Sequence, residues 1–139
     1  MKMQKYDPYL VVRFEKGEEI ISTLKQAAQS AGIKGAFFYG LGVGQDLELG
    51  YFDARTRDYT RRMFNGEYEF TSLAGNIALF EGETVIHCHV TITGAEFHAF
   101  GGHLFKGLVP ATLEIIVLPF AETLGRFHDE ATGLRLLKL

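Results

Sequence analysis

The clearest periodic signal in the chain is helical. Ile20, Ile21, Leu24, Ala27, Ala28 and Ala31 recur at i, i+3/i+4 and i+7/i+8, which gathers them into one apolar stripe. Gly32 stops the predicted helix, Gly17 is the expected N-cap, and Glu18 and Glu19 fall in the first turn, where they complement the helix dipole. Beyond Gly32 the pattern changes to short aromatic, β-branched and leucine-rich runs: Ala36–Val43, Leu47–Phe52, Tyr68–Leu73, Ile77–Phe80, Val85–Thr93, Glu96–Phe100 and Thr112–Leu118. Turn signals such as Asn65-Gly66, Glu81-Gly82-Glu83 and Thr93-Gly94 separate them. These intervals leave no room for crossover helices, so the sheet is expected to be mainly antiparallel. The predicted fold class is α+β: a single domain over residues 1–139, with a bent, mainly antiparallel β-sheet packed with one principal α-helix.

Composition agrees with a buried core. Hydrophobic residues make up 47% of the 139 positions, charged residues 22%, and the formal net charge is -3, which excludes an intrinsically disordered chain. The length suffices for one core and not for two ordinary domains. Twelve Phe and six Tyr without a Trp are compatible with a Phe-rich core or with a buried subunit interface; the glycine and aromatic surplus taken together favours the oligomer. Cys88 is alone and forms no intramolecular disulfide. The N-terminal apolar run, Tyr9–Val12, is too short for a secretory signal. The longest apolar stretch, Ile115–Ala121, contains Pro119 and falls far short of the roughly 20 residues a membrane span requires. The expectation is a soluble cytoplasmic protein.

Three segments are candidates for chemistry. Gly40-Leu41-Gly42-Val43-Gly44 follows a strand run but lacks the third glycine and the following helix of a dinucleotide-binding loop, so its glycines read as structural. Arg55, Arg57, Arg61 and Arg62 form a basic segment that could meet phosphates. Asp53 and Asp58 interrupt it, and the pI near 5.9 argues against a nucleic-acid surface.

The stretch 85–105 is the most informative. On a strand, His87 and His89 share one face, about 6.5–7 Å apart at Cα, while Ile86, Cys88, Val90 and Ile92 share the other. Cys88 therefore reads as a buried thiol. With a three-residue turn, Gly94-Ala95-Glu96, pairing sets His103 across from His87 and Gly101 across from His89, so three imidazoles share a face. Gly101 and Gly102 are then expected to leave open volume beside them. Three imidazoles suit Zn²⁺ or another borderline divalent metal and leave a coordination position open. The competing reading is an ordinary hydrogen-bonded polar patch. His98 and His128 read as structural or surface residues. A cupin-type site is disfavoured because Glu96 lies seven residues beyond His89, and no Ser sits in a nucleophile elbow.

Several motifs, in order, resemble the PPC domain, the "plants and prokaryotes conserved" family. They are Gly40-Leu41-Gly42-Val43-Gly44 leading into Leu49-Gly50-Tyr51-Phe52-Asp53, Glu69 through Ile77, His87-Cys88-His89, Gly101-Gly102-His103-Leu104 and Thr112-Leu113-Glu114-Ile115, a match over about residues 5–120. The resemblance implies a compact α+β fold, a homotrimer, and a metal, commonly zinc, held at His87, His89 and His103. Plant members join the domain to AT-hooks that enter the DNA minor groove through Gly-Arg-Pro, a tripeptide this chain lacks. Direct DNA binding is thus doubtful despite the family's predicted DNA-binding label. Three functions stay open: a metal-binding trimer with a regulatory or small-molecule-binding role, more non-enzymatic than catalytic; a metal-dependent hydrolase or lyase using a group such as Glu69 or Glu114; and a DNA-binding protein.

Overall fold

Alternation of apolar and polar positions carries most of this chain into strands, and the helical stripe forms the one helix. The computed structural model describes residues 1–139. Its strands are β1 (Lys2–Tyr6), β2 (Tyr9–Phe14), β3 (Ala36–Asp53), β4 (Asp58–Phe80), β5 (Glu83–Thr93), β6 (Ala99–Leu108), β7 (Leu113–Pro119), β8 (Gly125–Asp129) and β9 (Leu134–Lys138), with helix α1 at Ile20–Ser30. Strands hold 65% of the residues, so this α+β fold is richer in β-structure than the sequence runs imply. No helix is long and apolar enough to cross a membrane.

The sheet runs β1-β2-β7-β3-β6-β5-β4-β8-β9. Every pairing is antiparallel except the single parallel bridge Leu79↔Gly125 between β4 and β8. Because β3 also pairs with β4, strands β3, β4, β5 and β6 close into a ring. The ring explains why the long strands bend. The runs expected at 36–43 and 47–52 are one continuous strand, broken in register between Gly40 and Gly42 and between Gln45 and Leu47.

Asn65-Gly66 does not reverse the chain as expected. It lies within β4 opposite the second irregularity of β3, where Gly66 takes φ +88° and donates its amide to Asp46 Oδ1 at 3.0 Å. The reversal comes at residues 54–57, where Asp53 Oδ1 accepts from the amides of Arg55 (2.8 Å) and Thr56 (3.3 Å). The turn at Glu81-Gly82 falls where the sequence puts it, and the one after Thr93 begins where expected but is longer.

Helix α1 is capped by Glu19, not Gly17. The Glu19 carboxylate accepts from the amides of Ile21 (3.2 Å) and Ser22 (2.7 Å), satisfying two donors that the first turn leaves free. Ile20, Leu24, Ala27 and Ala28 are buried against the sheet, and each of the two larger side chains contributes about 2–3 kcal/mol by leaving water. Ala31 is exposed as the C-cap, and Gly32 follows at φ +67°. The core beneath joins Phe14 from β2, Leu47 from β3, Leu73 and Ile77 from β4, Ile92 from β5 and Ile115 from β7. On the far face of β3 and β7, Phe37 pairs with Leu118 and Tyr39 with Ile116, and all four side chains are exposed.

Strands β4 and β5 approach closely at Gly75, where a Cβ would overlap the His87 carbonyl oxygen and the Phe38 ring. Gly75→Ala is expected to cost about 3 kcal/mol through overpacking, read as a lower denaturation midpoint. Unchanged stability would show that the two strands are not held this tightly.

Candidate metal centre

The site is built on strand alternation. His87 and His89 project from one face of β5, and between them Cys88 enters the core, where burial pushes its thiol up to about 12. On β6, His103 pairs directly with His89, and Gly101 with Thr91. The expected register, His103 across from His87, is therefore corrected by two positions. The cause is the loop, which spans residues 94–98 rather than three residues and turns through Phe97 at φ 59°. Strand β6 accordingly begins at Ala99, not Glu96. A two-residue shift preserves the strand's faces, so His103 still joins His87 and His89.

Gly102 does not open space beside the imidazoles. A Cβ there would stand 2.7 Å from the Gly50 carbonyl oxygen, so its bare Cα lets β6 close against β3.

The three ring centroids lie 5.0, 5.1 and 5.4 Å apart, and one ring nitrogen from each histidine falls within 4.8 Å of the others. His87 Nε2 and His89 Nε2 are 3.2 Å apart. Arg126, on β8, donates from Nη2 to Asn76 Oδ1 at 2.6 Å and from Nη1 to the Arg135 carbonyl. The same Nη2 lies 3.2 Å from His87 Nδ1. A guanidinium only donates, so Nδ1 accepts, and the proton of neutral His87 sits on Nε2, facing His89. His103 Nδ1 and Arg126 Nε are buried without a hydrogen-bond partner. The rings of Phe105 and Tyr59 pack on His103 at centroid distances of 4.6 and 5.4 Å.

All three histidines are neutral at pH 7. Burial, then the charge of Arg126, then His89 lower His87 to about 4. Burial, then His87, His89, Arg61 and Arg126 in that order, lower His103 to about 4. Burial alone lowers His89. Three neutral imidazoles therefore present their nitrogens at one point.

A cavity of about 950 Å³ runs beside His87 and His103. Arg61, Arg126 and Arg135 line it together with leucines of β9, and no Asp or Glu does. Glu69 and Glu114 lie elsewhere, paired across strands with Val43 and Thr93, and with Arg13 and Leu41. The Arg55–Arg62 segment is not one free patch. Arg61 stacks 3.8 Å over Phe105 and bridges Glu48 at 3.2 Å; Arg62 lies over Phe64; Arg57 donates to the Glu130 carbonyl; and Arg55 lies 3.9 Å from Asp53. His98 and His128 are exposed, with His98 3.7 Å from Glu96. The Gly40–Gly44 segment is part of β3 and precedes no helix.

Sequence reasoning missed Asn76, Arg126, Tyr59 and Phe105. Pairing of Asn76 with His87 would have found the first, given the register of β4 and β5. Nothing local marks Arg126, 39 residues from His87 in the chain.

Residues 1–121 match the Plants and Prokaryotes Conserved (PCC) domain. The chain belongs to this family, the PPC family of the sequence resemblance. This PCC domain is similar to a PPC protein from Pyrococcus horikoshii, with 29% identity, a TM-score of 0.87, and coverage of 99% of this chain and 94% of that one. It is likewise similar to a candidate DNA-binding protein from Ralstonia eutropha (27% identity, TM-score 0.91, 99% and 96% covered). A metal-containing protein from Archaeoglobus fulgidus is a third solved relative (27% identity, TM-score 0.88, 99% and 96% covered). No functionally curated protein shows significant similarity to the chain. The family match stops before β8 and β9, so the histidines lie inside it and Arg126 outside.

The depressed histidines fix the sign of an acid effect. Their folded values, about 4 for His87 and His103, lie below the ordinary 6.5, so the unfolded chain takes up protons first. Stability of chelator-treated protein is expected to be full above pH 6.5 and to fall from there to about 4. A His87→Asn/His103→Asn variant should show a shallower fall in a thermal-denaturation series. Identical slopes would show that these two rings do not drive it.

Proposed function

We propose that the chain is a single PCC-type domain over residues 1–139 that forms a homotrimer and holds a divalent metal, zinc foremost, at His87, His89 and His103. The observation that carries the reading is the 3.2 Å separation of His87 Nε2 and His89 Nε2. Nitrogens about 2.0 Å from a tetrahedral ion stand about 3.3 Å apart. The buried, unpartnered Nδ1 of His103 and the neutrality of all three rings fit the same use. A bound ion of this type supplies Lewis acidity and an open position for a ligand oxygen.

The chain's own residues prepare that position. Phe105 and Tyr59 pack on the His103 ring, and Asn76 anchors Arg126 beside His87. Once His87 Nε2 serves as a ligand, its remaining ring proton sits on Nδ1, which then no longer accepts from Arg126. No acidic side chain lines the cavity to serve as a general base, so ligand binding or regulation is preferred over a hydrolase or lyase. A substrate screen in which activity vanishes with the histidines would reverse that preference. The name of the Ralstonia eutropha relative favours a DNA-binding reading, but the arginines that would carry it are engaged within the chain. Salt-sensitive binding to duplex DNA would restore it.

The homotrimer is what the family resemblance implies, and the exposed apolar face formed by Phe37, Tyr39, Ile116 and Leu118 offers a surface for assembly to bury. Light scattering should give three times the 15.5 kDa chain mass, and Tyr39→Asp/Ile116→Asp should lower it. A monomeric wild-type mass would remove the assembly.

Elemental analysis should find close to one divalent metal per chain, lost in His87→Ala/His89→Ala. Metal at 100 times its dissociation constant should stabilise the folded chain by about 2.7 kcal/mol. Metal content that survives the double substitution would sink the assignment.

A further inference from the structure

The cavity beside the histidines is lined by three arginines and by apolar side chains, and no Asp or Glu lines it. Arg126 contacts only neutral acceptors: Asn76 Oδ1, the Arg135 carbonyl and His87 Nδ1. Its Nε is buried and unpartnered. Arg61 is met by Glu48 at the rim, whereas Arg135 stacks over Phe80 and adds a further charge without a carboxylate partner. A divalent ion on the three imidazoles would add charge beside Arg126, and no acidic side chain lines the cavity to offset it. Unbalanced charge in a partly desolvated site is costly, and an anionic ligand relieves it.

The shape narrows the anion's class. Leu134, Leu136 and Leu137 of β9 line the cavity together with Ile86 and Phe105. Inorganic phosphate leaves this wall bare, whereas a carboxylate with a hydrocarbon body covers it. A carboxylate head also accepts charge-assisted hydrogen bonds from a guanidinium.

We infer that this cavity binds a small organic carboxylate, its head between Arg126 and the histidines and its hydrocarbon body against the β9 leucines. The inference deepens the metal reading and rests on it for part of the charge. Arg126 and β9 lie beyond the residues matched by the family, so the selectivity resides in the C-terminal hairpin of this chain.

The test is an NMR titration of the full chain after zinc addition, with metal content measured in parallel and hexanoate, acetate, hexylamine and inorganic phosphate as probes. Hexanoate should bind at least tenfold more tightly than acetate, through its additional buried methylenes. Arg126→Gln should weaken hexanoate at least tenfold with metal content unchanged, and Arg126→Lys should recover part of the loss. Should Arg126→Gln fail to fold, Leu136→Asp, at a partly exposed position on the apolar wall, should weaken hexanoate to a similar degree. Undiminished hexanoate binding in a folded variant overturns the inference, as does phosphate or hexylamine binding as tightly as hexanoate. If the protein takes up no zinc, the metal reading fails, and the same comparison of wild type with Arg126→Gln still decides the carboxylate site.

Discussion

The register in which β6 pairs with β5 sets the face on which His103 lies, and the site depends on that pairing. Hydrogen bonds of the ladder lock Thr93 to Ala99, Thr91 to Gly101 and His89 to His103. A slip of one residue would send His103 into the core and bring Leu104 to the surface, an exchange that costs buried apolar area and desolvates an imidazole. Leu104 is fully buried, so the core itself holds the histidine outward. The hydrophobic effect, acting on the opposite face of the same strand, thus positions the polar cluster.

Ring closure adds the second constraint. Strands β3 to β6 can close only where backbones approach without side chains between them, as at Gly75 against β5 and Gly102 against β3. The same closeness leaves the imidazoles on regular, paired strands rather than on loops, which fixes their separations tightly. The irregularities at Gly40–Gly42 and Gln45–Leu47 supply the bending that a ring requires of an 18-residue strand.

Electrostatics then gives the cluster its character. Burial and the Arg126 guanidinium both disfavour imidazolium, so the rings keep their lone pairs near neutral pH. Arg126 serves a double purpose there: it orders His87 through a donated hydrogen bond, and it makes the surrounding field positive. Nitrogen donors beside a guanidinium without a carboxylate partner are the arrangement on which the proposed metal and anion sites rest.

The sequence by itself determined the helix stripe, the strand character after Gly32, the antiparallel connections and the common face of His87 and His89, because each follows from periodicity within one element. It also carried the family resemblance, including all three histidines. The shared face of His103 was legible only in its parity: the assumed loop was two residues too short, and an even error leaves faces intact. Glu19 was not distinguishable from Gly17 as the cap, since both precede the same apolar stripe and only the path of the chain decides which side chain reaches the free amides. Asn65-Gly66 carries the composition of a turn, yet the turn formed at Asp53, because pairing along the full length of β3 and β4 outweighed a local preference. Arg126, Asn76 and the apolar wall of β9 were decided by tertiary structure alone. They meet His87 through the β4–β5 and β4–β8 pairings, and contacts between residues so far apart in the chain leave no periodic trace in it.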